Sequence, residues 1–290
     1  MEQFPPTVTH HSPAHPAPGF APPQMLPPRG LSPWGMPIRH HFEIPLLVLS
    51  IATTVVTYLV SIALIASGAL EPWVILVLLA PILLFFARGQ MYAAQRVNGV
   101  KMTPTQFPDG YRMLVEAAGR FGMPQVPDGY VILGNGQINA FASGHGFRRY
   151  VVIYSDMFEI GGQARNPDAL AFIIGHEVGH IAAGHTSYWR QLGMFASNYI
   201  PVIGSSLSRA QEYTADNHGL CNRPHGAPGA IGVLAAGKYL MSLVGFDELA
   251  DRAHTERGFF PWLVNILSSH PVLTWRAAAL RDRSRHGRVF

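Results

Sequence analysis

From Ile44 to Leu70 the chain carries no charged side chain and reads IPLLVLSIATTVVTYLVSIALIASGAL. A helix that crosses about 30 Å of hydrocarbon needs about 20 apolar residues. Ile44 to Ala66 meets that need, and Ser50, Thr53, Thr54, Thr57 and Ser61 can bond to the preceding turn or to a neighbouring helix. Gly68, Glu71 and Pro72 break the run, and a second apolar stretch follows from Trp73 to Ala87. This one is short for a full span, and Pro81 is expected to kink it. Two such runs joined by a tight turn predict a transmembrane helical hairpin over residues 41–88, with a buried soluble hairpin as the alternative.

Beyond residue 88 the pattern becomes globular. Residues 109–121 have helical spacing, with Met113, Leu114, Ala117 and Ala118 on the core side. Tyr130–Leu133, Gln137–Ala142 and Tyr150–Tyr154 read as strands, with turns at Gly134-Asn135-Gly136 and Gly144–Gly146. Asn166, Pro167 and Asp168 form a helix start, and that helix is expected to run to about Gly184. Tyr188–Leu207 contains Arg190 and Pro201 and is amphipathic or hairpin-like. The expected fold is mainly α (α+β), with a small antiparallel sheet. Residues 1–40 hold eleven prolines together with His10, His11, His15 and His40, and predict a disordered Pro/His-rich arm. Residues 89–290 form the globular domain.

Composition sharpens this picture. Only 13% of the 290 residues are charged, about half the usual share of roughly 25%. The net charge is +4 and no dense Lys/Arg tract is present, which excludes a charge-driven nucleic-acid binder. Arg29 and Arg39 precede the hairpin, Arg88, Arg96 and Lys101 follow it, and its turn has neither Lys nor Arg. The positive-inside rule then puts both ends in the cytoplasm. The single cysteine, Cys221, excludes an intrachain disulfide and every four-cysteine zinc site. Any metal must be held by nitrogen and oxygen.

The chemistry concentrates at His176-Glu177-Val178-Gly179-His180, inside the well-capped helix. Two histidines four apart lie one above the other on a helix face and can share one ion. Glu177 stands one residue round the helix, where it could take a proton from an attacking water. A third ligand is needed. The extended metzincin spacing fails, because Ala183 and Thr186 occupy its glycine and histidine positions, and His185 reads as a helix C-terminal residue favoured by the dipole. Glu212, in Gln211-Glu212-Tyr213-Thr214-Ala215-Asp216, is the better candidate. Asp216, one turn on, could accept from a ligand imidazole.

These motifs resemble those of the M48 zinc metallopeptidases, nearest to the HtpX-like membrane-bound branch. Asn139-Ala140-Phe141-Ala142 with Gly144, Tyr150–Asp156 with Met157-Phe158-Glu159, HEVGH at 176–180, EYTAD at 212–216, and Ser269-His270-Pro271 with Arg276 and Leu280 carry the resemblance in order over roughly residues 40–285. It implies a zincin-like catalytic domain holding one Zn(2+) through His176, His180 and Glu212, with Glu177 as general base and His270 stabilising the oxyanion. Asp216 and Arg276 would support the site, and Asn139 would orient substrate or its own strand. It further implies hydrolysis of internal bonds in unfolded or membrane polypeptides. The setting would be the inner membrane, with the domain facing the cytoplasm. Partners would be such substrates and the lipid bilayer, with a homo-oligomer possible and no nucleic acid. A catalytically inactive zinc-binding scaffold and a CAAX-type prenyl-protein endopeptidase are the alternatives. One departure stands out: members of that branch usually carry two further hydrophobic segments between HExxH and the third ligand, where only 31 residues lie here.

Overall fold

The two apolar runs fold as helices α1 (Glu43–Ala66) and α2 (Pro72–Asn98) in the computed structural model, which describes residues 36–69, 71–161, 166–283 and 286–290. The arm expected over residues 1–40 lies outside the described residues as far as residue 35. Burial on α1 is inverted relative to a soluble helix. Ser50, Thr54 and Ser61 are buried, whereas Val48 and Leu59 are each 61% exposed. Both helices are long and apolar enough to cross a membrane, and only 17% and 22% of their apolar windows are buried. A core helix of a soluble domain would be mostly buried, so the pair suggests association with a membrane.

Helix α2 departs from the expected short, kinked run. It is one helix of 27 residues with Pro81 in its interior, which at 1.5 Å per residue is about 40 Å long. It continues because its C-terminal third docks on the sheet. Tyr92 stacks on Tyr150 at 4.9 Å between ring centroids, and its hydroxyl donates to Asp128 Oδ2 at 2.8 Å.

The sheet has four strands in the order β1-β2-β4-β3: β1 (Val100–Lys101), β2 (Asp128–Ile132), β3 (Ala140–His145) and β4 (Arg148–Tyr154). Its expected antiparallel character holds for β1–β2 and β3–β4, but β2 and β4 are parallel, so the sheet is mixed. The reason lies in residues 133–139. They carry the chain past the place of β4 to the sheet edge, and the β3–β4 hairpin brings it back alongside β2. The strand expected at Gln137 starts only at Ala140, and the hairpin turns at Gly146-Phe147, with Gly144 inside β3. Asn135 and Gly136 do form the preceding turn, both with positive φ.

The helices that follow are α3 (Pro108–Arg120, before β2), α4 (Ser155–Gly161), α5 (Pro167–Ala182), α6 (Tyr188–Gly193), α7 (Ile203–Asn222), α8 (Ala227–Leu240), α9 (Phe246–Thr255), α10 (Phe259–Leu267) and α11 (Leu273–Arg281). The amphipathic segment Tyr188–Leu207 becomes α6, a short 3-10 turn and the start of α7. Asn166 caps α5 through its side chain, which accepts from Ala169 N at 3.0 Å. Helix α5 is apolar nearly all round and lies in the middle of the domain, as such a helix must. Leu170, Phe172, Ile174 and Val178 share one core with Leu114, Val131, Val151, Ile153 and Met157.

Helices α5 and α7 pass close together because α5 has glycines on the shared face. A Cβ on Gly179 would stand 2.4 Å from His218 Cβ, and one on Gly175 2.6 Å from Asn222 Cβ. Asn222 closes the contact by donating to Ala171 O at 2.8 Å. Replacing Gly179 with Ala is therefore expected to destabilise the protein by about 1–3 kcal/mol, since an overpacked contact must open. Thermal unfolding in detergent would read the loss, and a variant as stable as wild type would show that the helices can separate freely.

Candidate metal centre

Helix α5 puts His176 and His180 one turn apart, with their Nε2 atoms 3.2 Å from each other. Across the glycine contact, α7 brings up Glu212. Its Oε2 lies 3.4 Å from His176 Nε2 and its Oε1 3.5 Å from His180 Nε2. Among the described residues this is the one group of three or more His, Cys, Asp or Glu donors gathered within 4.8 Å. Four ligands placed tetrahedrally about 2.0–2.1 Å from a zinc ion would stand about 3.3 Å apart. The separation of the two imidazole nitrogens matches an edge of that tetrahedron, and the Glu212 carboxylate presents one oxygen toward each imidazole at a similar distance. Two imidazole nitrogens and a carboxylate, with no thiol, are also the donor chemistry of a catalytic zinc site. The residues fit the ion.

The other ring nitrogens are also held. His176 Nδ1 lies 3.0 Å from Asp216 Oδ1, and Arg276 grips Asp216 bidentately, Nε to Oδ2 at 2.7 Å and Nη2 to Oδ1 at 2.6 Å. Arg276 Nη2 also lies 3.2 Å from His176 Nδ1. If Nε2 of His176 is to face a metal, its one ring proton sits on Nδ1 and is donated to Asp216, so the true partner of Arg276 is the carboxylate. Burial works to raise the Asp216 carboxyl, but Arg276 and His176 overcome it and hold it below the usual carboxylate range. Burial likewise pulls the His176 imidazole down, yet Asp216 and Glu212 outweigh it and push it up to about 9.

His180 Nδ1 is 2.8 Å from His185 Nδ1, and His185 Nε2 is 3.2 Å from Glu43 Oε1. This corrects the reading of His185 as a dipole-favoured helix end. Gly184, at φ 75°, reverses the chain after α5, with Gly184 N donating to Ile181 O and His185 N to His180 O, both at 2.9 Å. The reversal folds the buried His185 ring back onto His180. Burial pushes its imidazole down to about 3, so the ring is neutral.

The metal side of this cluster opens into a cavity of about 300 Å³. Glu177, Asn139, His270 and Arg276 line it, as do Ala140, Phe141 and Ala142 of β3. Asp216 lies behind the ligands, at 1% exposure. Arg276 is no solvated surface charge: it is 9% exposed and bonded as described. His270 stands on the loop between α10 and α11, largely exposed, with Ser269 Oγ 3.1 Å from its Nδ1 and Glu212 Oε1 3.6 Å from its Nε2. Asn139 immediately precedes β3, and its carbonyl accepts from Tyr154 N at 3.0 Å.

A His/His/Glu donor set that faces a substrate-sized cavity, with a further carboxylate in its wall, is the arrangement that a metal-dependent hydrolase requires. The family model described as Peptidase family M48 matches residues 104–194 and 187–284, and the chain belongs to that family. Membership makes it a metallopeptidase of a zinc-dependent family. No solved structure shows a significant match to the chain.

Because a proton and a metal compete for His176, zinc binding at neutral pH must expel a proton. Apparent zinc affinity is expected to rise with pH and to level off near 9, where His176 deprotonates unaided. Calorimetric titrations in two buffers of different ionisation enthalpy should differ by about one proton per zinc. Identical enthalpies in the two buffers would contradict the protonated site.

Proposed function

We propose that this protein is a membrane-anchored zinc endopeptidase of the HtpX-like kind, cutting internal peptide bonds in unfolded or membrane-associated polypeptides. The observation that carries the reading is the cavity itself, where a tetrahedral donor set, Glu177 and an unpaired strand edge meet. Zinc, when bound, supplies Lewis acidity that acidifies water and polarises the scissile carbonyl. Glu177 accepts the proton of the attacking water and returns it to the departing amine. Nε2 of His270 can donate to the developing oxyanion when Ser269 Oγ donates to Nδ1. Among the described residues strand β3 pairs with β4 on one side only, so its outer edge can take an extended substrate by backbone hydrogen bonds. Asn139, at the head of that strand, would orient the substrate chain. A folded segment has already used those backbone groups, which favours unfolded polypeptide.

A second recess, of about 640 Å³, supports a membrane-proximal supply of substrate. It shares His185, Gln191 and Gln211 with the first cavity and reaches Leu84 of α2. On this reading α1 and α2 span the inner membrane, Arg39, Arg88 and Arg96 keep the domain on the cytoplasmic side, and lipid is the standing partner.

Glu177→Gln is expected to keep stoichiometric zinc while cleavage of casein by the detergent-purified protein falls by at least 10²–10⁴-fold. Cleavage at the wild-type rate would sink the mechanism, and zinc binding without any cleavage by wild type would favour a scaffold. Carbonate washing should leave the full chain in the membrane pellet; release into the aqueous phase would remove the anchor.

A further inference from the structure

Glu43 is the only acidic residue between Glu2 and Glu71, and it stands in the first turn of α1. It is wholly buried. Its Oε1 takes Arg39 Nη1 at 2.5 Å and Arg190 Nη2 at 2.6 Å, and its Oε2 takes the Thr214 hydroxyl at 2.5 Å. The segment before it is bound to the same helices: Arg39 donates to Ala183 O, His40 N to Thr214 Oγ1, and Asn217 to Ile38 O. The carboxylate thus touches both helices that carry metal ligands, at the end of α5 through His185 and on α7 through Thr214.

The direction of the hydrogen bonds can be worked out. A His180 that offers the Nε2 lone pair to a metal has its only ring proton on Nδ1. The atom 2.8 Å away is His185 Nδ1, which must therefore accept. That leaves the proton of His185 on Nε2, aimed at Glu43 Oε1 3.2 Å off. Every donor in the chain His180–His185–Glu43 then has one acceptor, and a carboxylate ends it. His176 has the same arrangement in a single step, through Asp216. An orienting acid behind a ligand imidazole fixes the tautomer and raises ligand basicity.

We propose that Glu43 is a positioning residue of the metal centre, orienting His180 through His185, so that zinc affinity depends on α1 being seated against the domain. The inference rests on the metallopeptidase reading. Its consequence is regulatory: a displacement of the membrane helix at its first turn would loosen a zinc ligand without touching the cavity.

The test is a double-mutant cycle on the full chain in detergent, with Glu43→Gln, His185→Leu and the pair. Zinc affinity is read by chelator competition, ligand geometry by the visible spectrum of the cobalt-substituted protein, and folding by thermal unfolding. Each single variant is expected to lose about 10–100-fold in zinc affinity and to change the cobalt spectrum, and the double variant to lose no more than the worse single one. Lower thermal stability with wild-type affinity and spectrum would make Glu43 merely structural and overturn the proposal, as would additive losses. Should Glu43→Gln not fold, His185→Leu carries the same test, since it leaves the ion pairs of Glu43 with Arg39 and Arg190 in place. Failure of the wild type to bind zinc would instead bring down the metallopeptidase reading itself.

Discussion

The close passage of α5 over α7 governs nearly everything else in the domain. Without side chains at Gly175 and Gly179 the two backbones can approach until His218 and Asn222 fill the space a Cβ would need. Only at that distance does a glutamate side chain on one helix reach two imidazoles on the other. The contact also buries Glu212, Asp216, His176 and Arg276 together. Buried charges are tolerable only when paired and hydrogen-bonded, and removing one member of such a set leaves the others exposed to the full desolvation cost. The cluster is therefore all-or-none, which suits a site that must hold its ligands in one geometry.

Helix α7 shows how this is achieved. Its sequence is polar, yet from Arg209 to Leu220 every residue is buried. Several of the polar groups that the helix brings into the interior are met by partners on other elements, while His218 Nδ1 bonds back to Thr214 O within the helix. Arg209 donates to the carbonyls of Val289, Ile266 and Ser268, and Thr214 meets Glu43. These bonds tie the C-terminus, the α10–α11 loop that carries His270, and the apolar N-terminal hairpin to the helix that carries Glu212. The domain is built as a frame around one polar helix, and α1 is one side of that frame.

Much of this was legible in the sequence, and for physical reasons. HEVGH on a capped helix implies a shared ion from helix geometry alone, and Glu212 with Asp216 repeats the four-residue spacing. The mainly helical fold and the apolar hairpin follow from unbroken hydrophobic runs. What escaped were long-range pairings that leave no local period. The parallel β2–β4 pairing depends on where residues 133–139 travel, which short strands do not encode. Helix α2 reads as ending near Ala87 because its apolar run stops there, whereas docking of Tyr92 on the sheet carries it to Asn98. His185 reads as a helix end because its partner, Glu43, lies 142 residues away. The one available signal was a lone acid at the very start of an apolar span, a costly place to leave a charge unpaired.

X-ray absorption at the zinc edge of the metal-loaded, detergent-purified protein tests the centre most directly. Two imidazole nitrogens and one carboxylate oxygen from the chain, all about 2.0–2.1 Å from the ion, are expected, with the imidazole signature reduced by neither Glu177→Gln nor Asn139→Ala. A sulfur ligand from Cys221, or a shell of oxygens alone, would mean that His176, His180 and Glu212 do not share the ion.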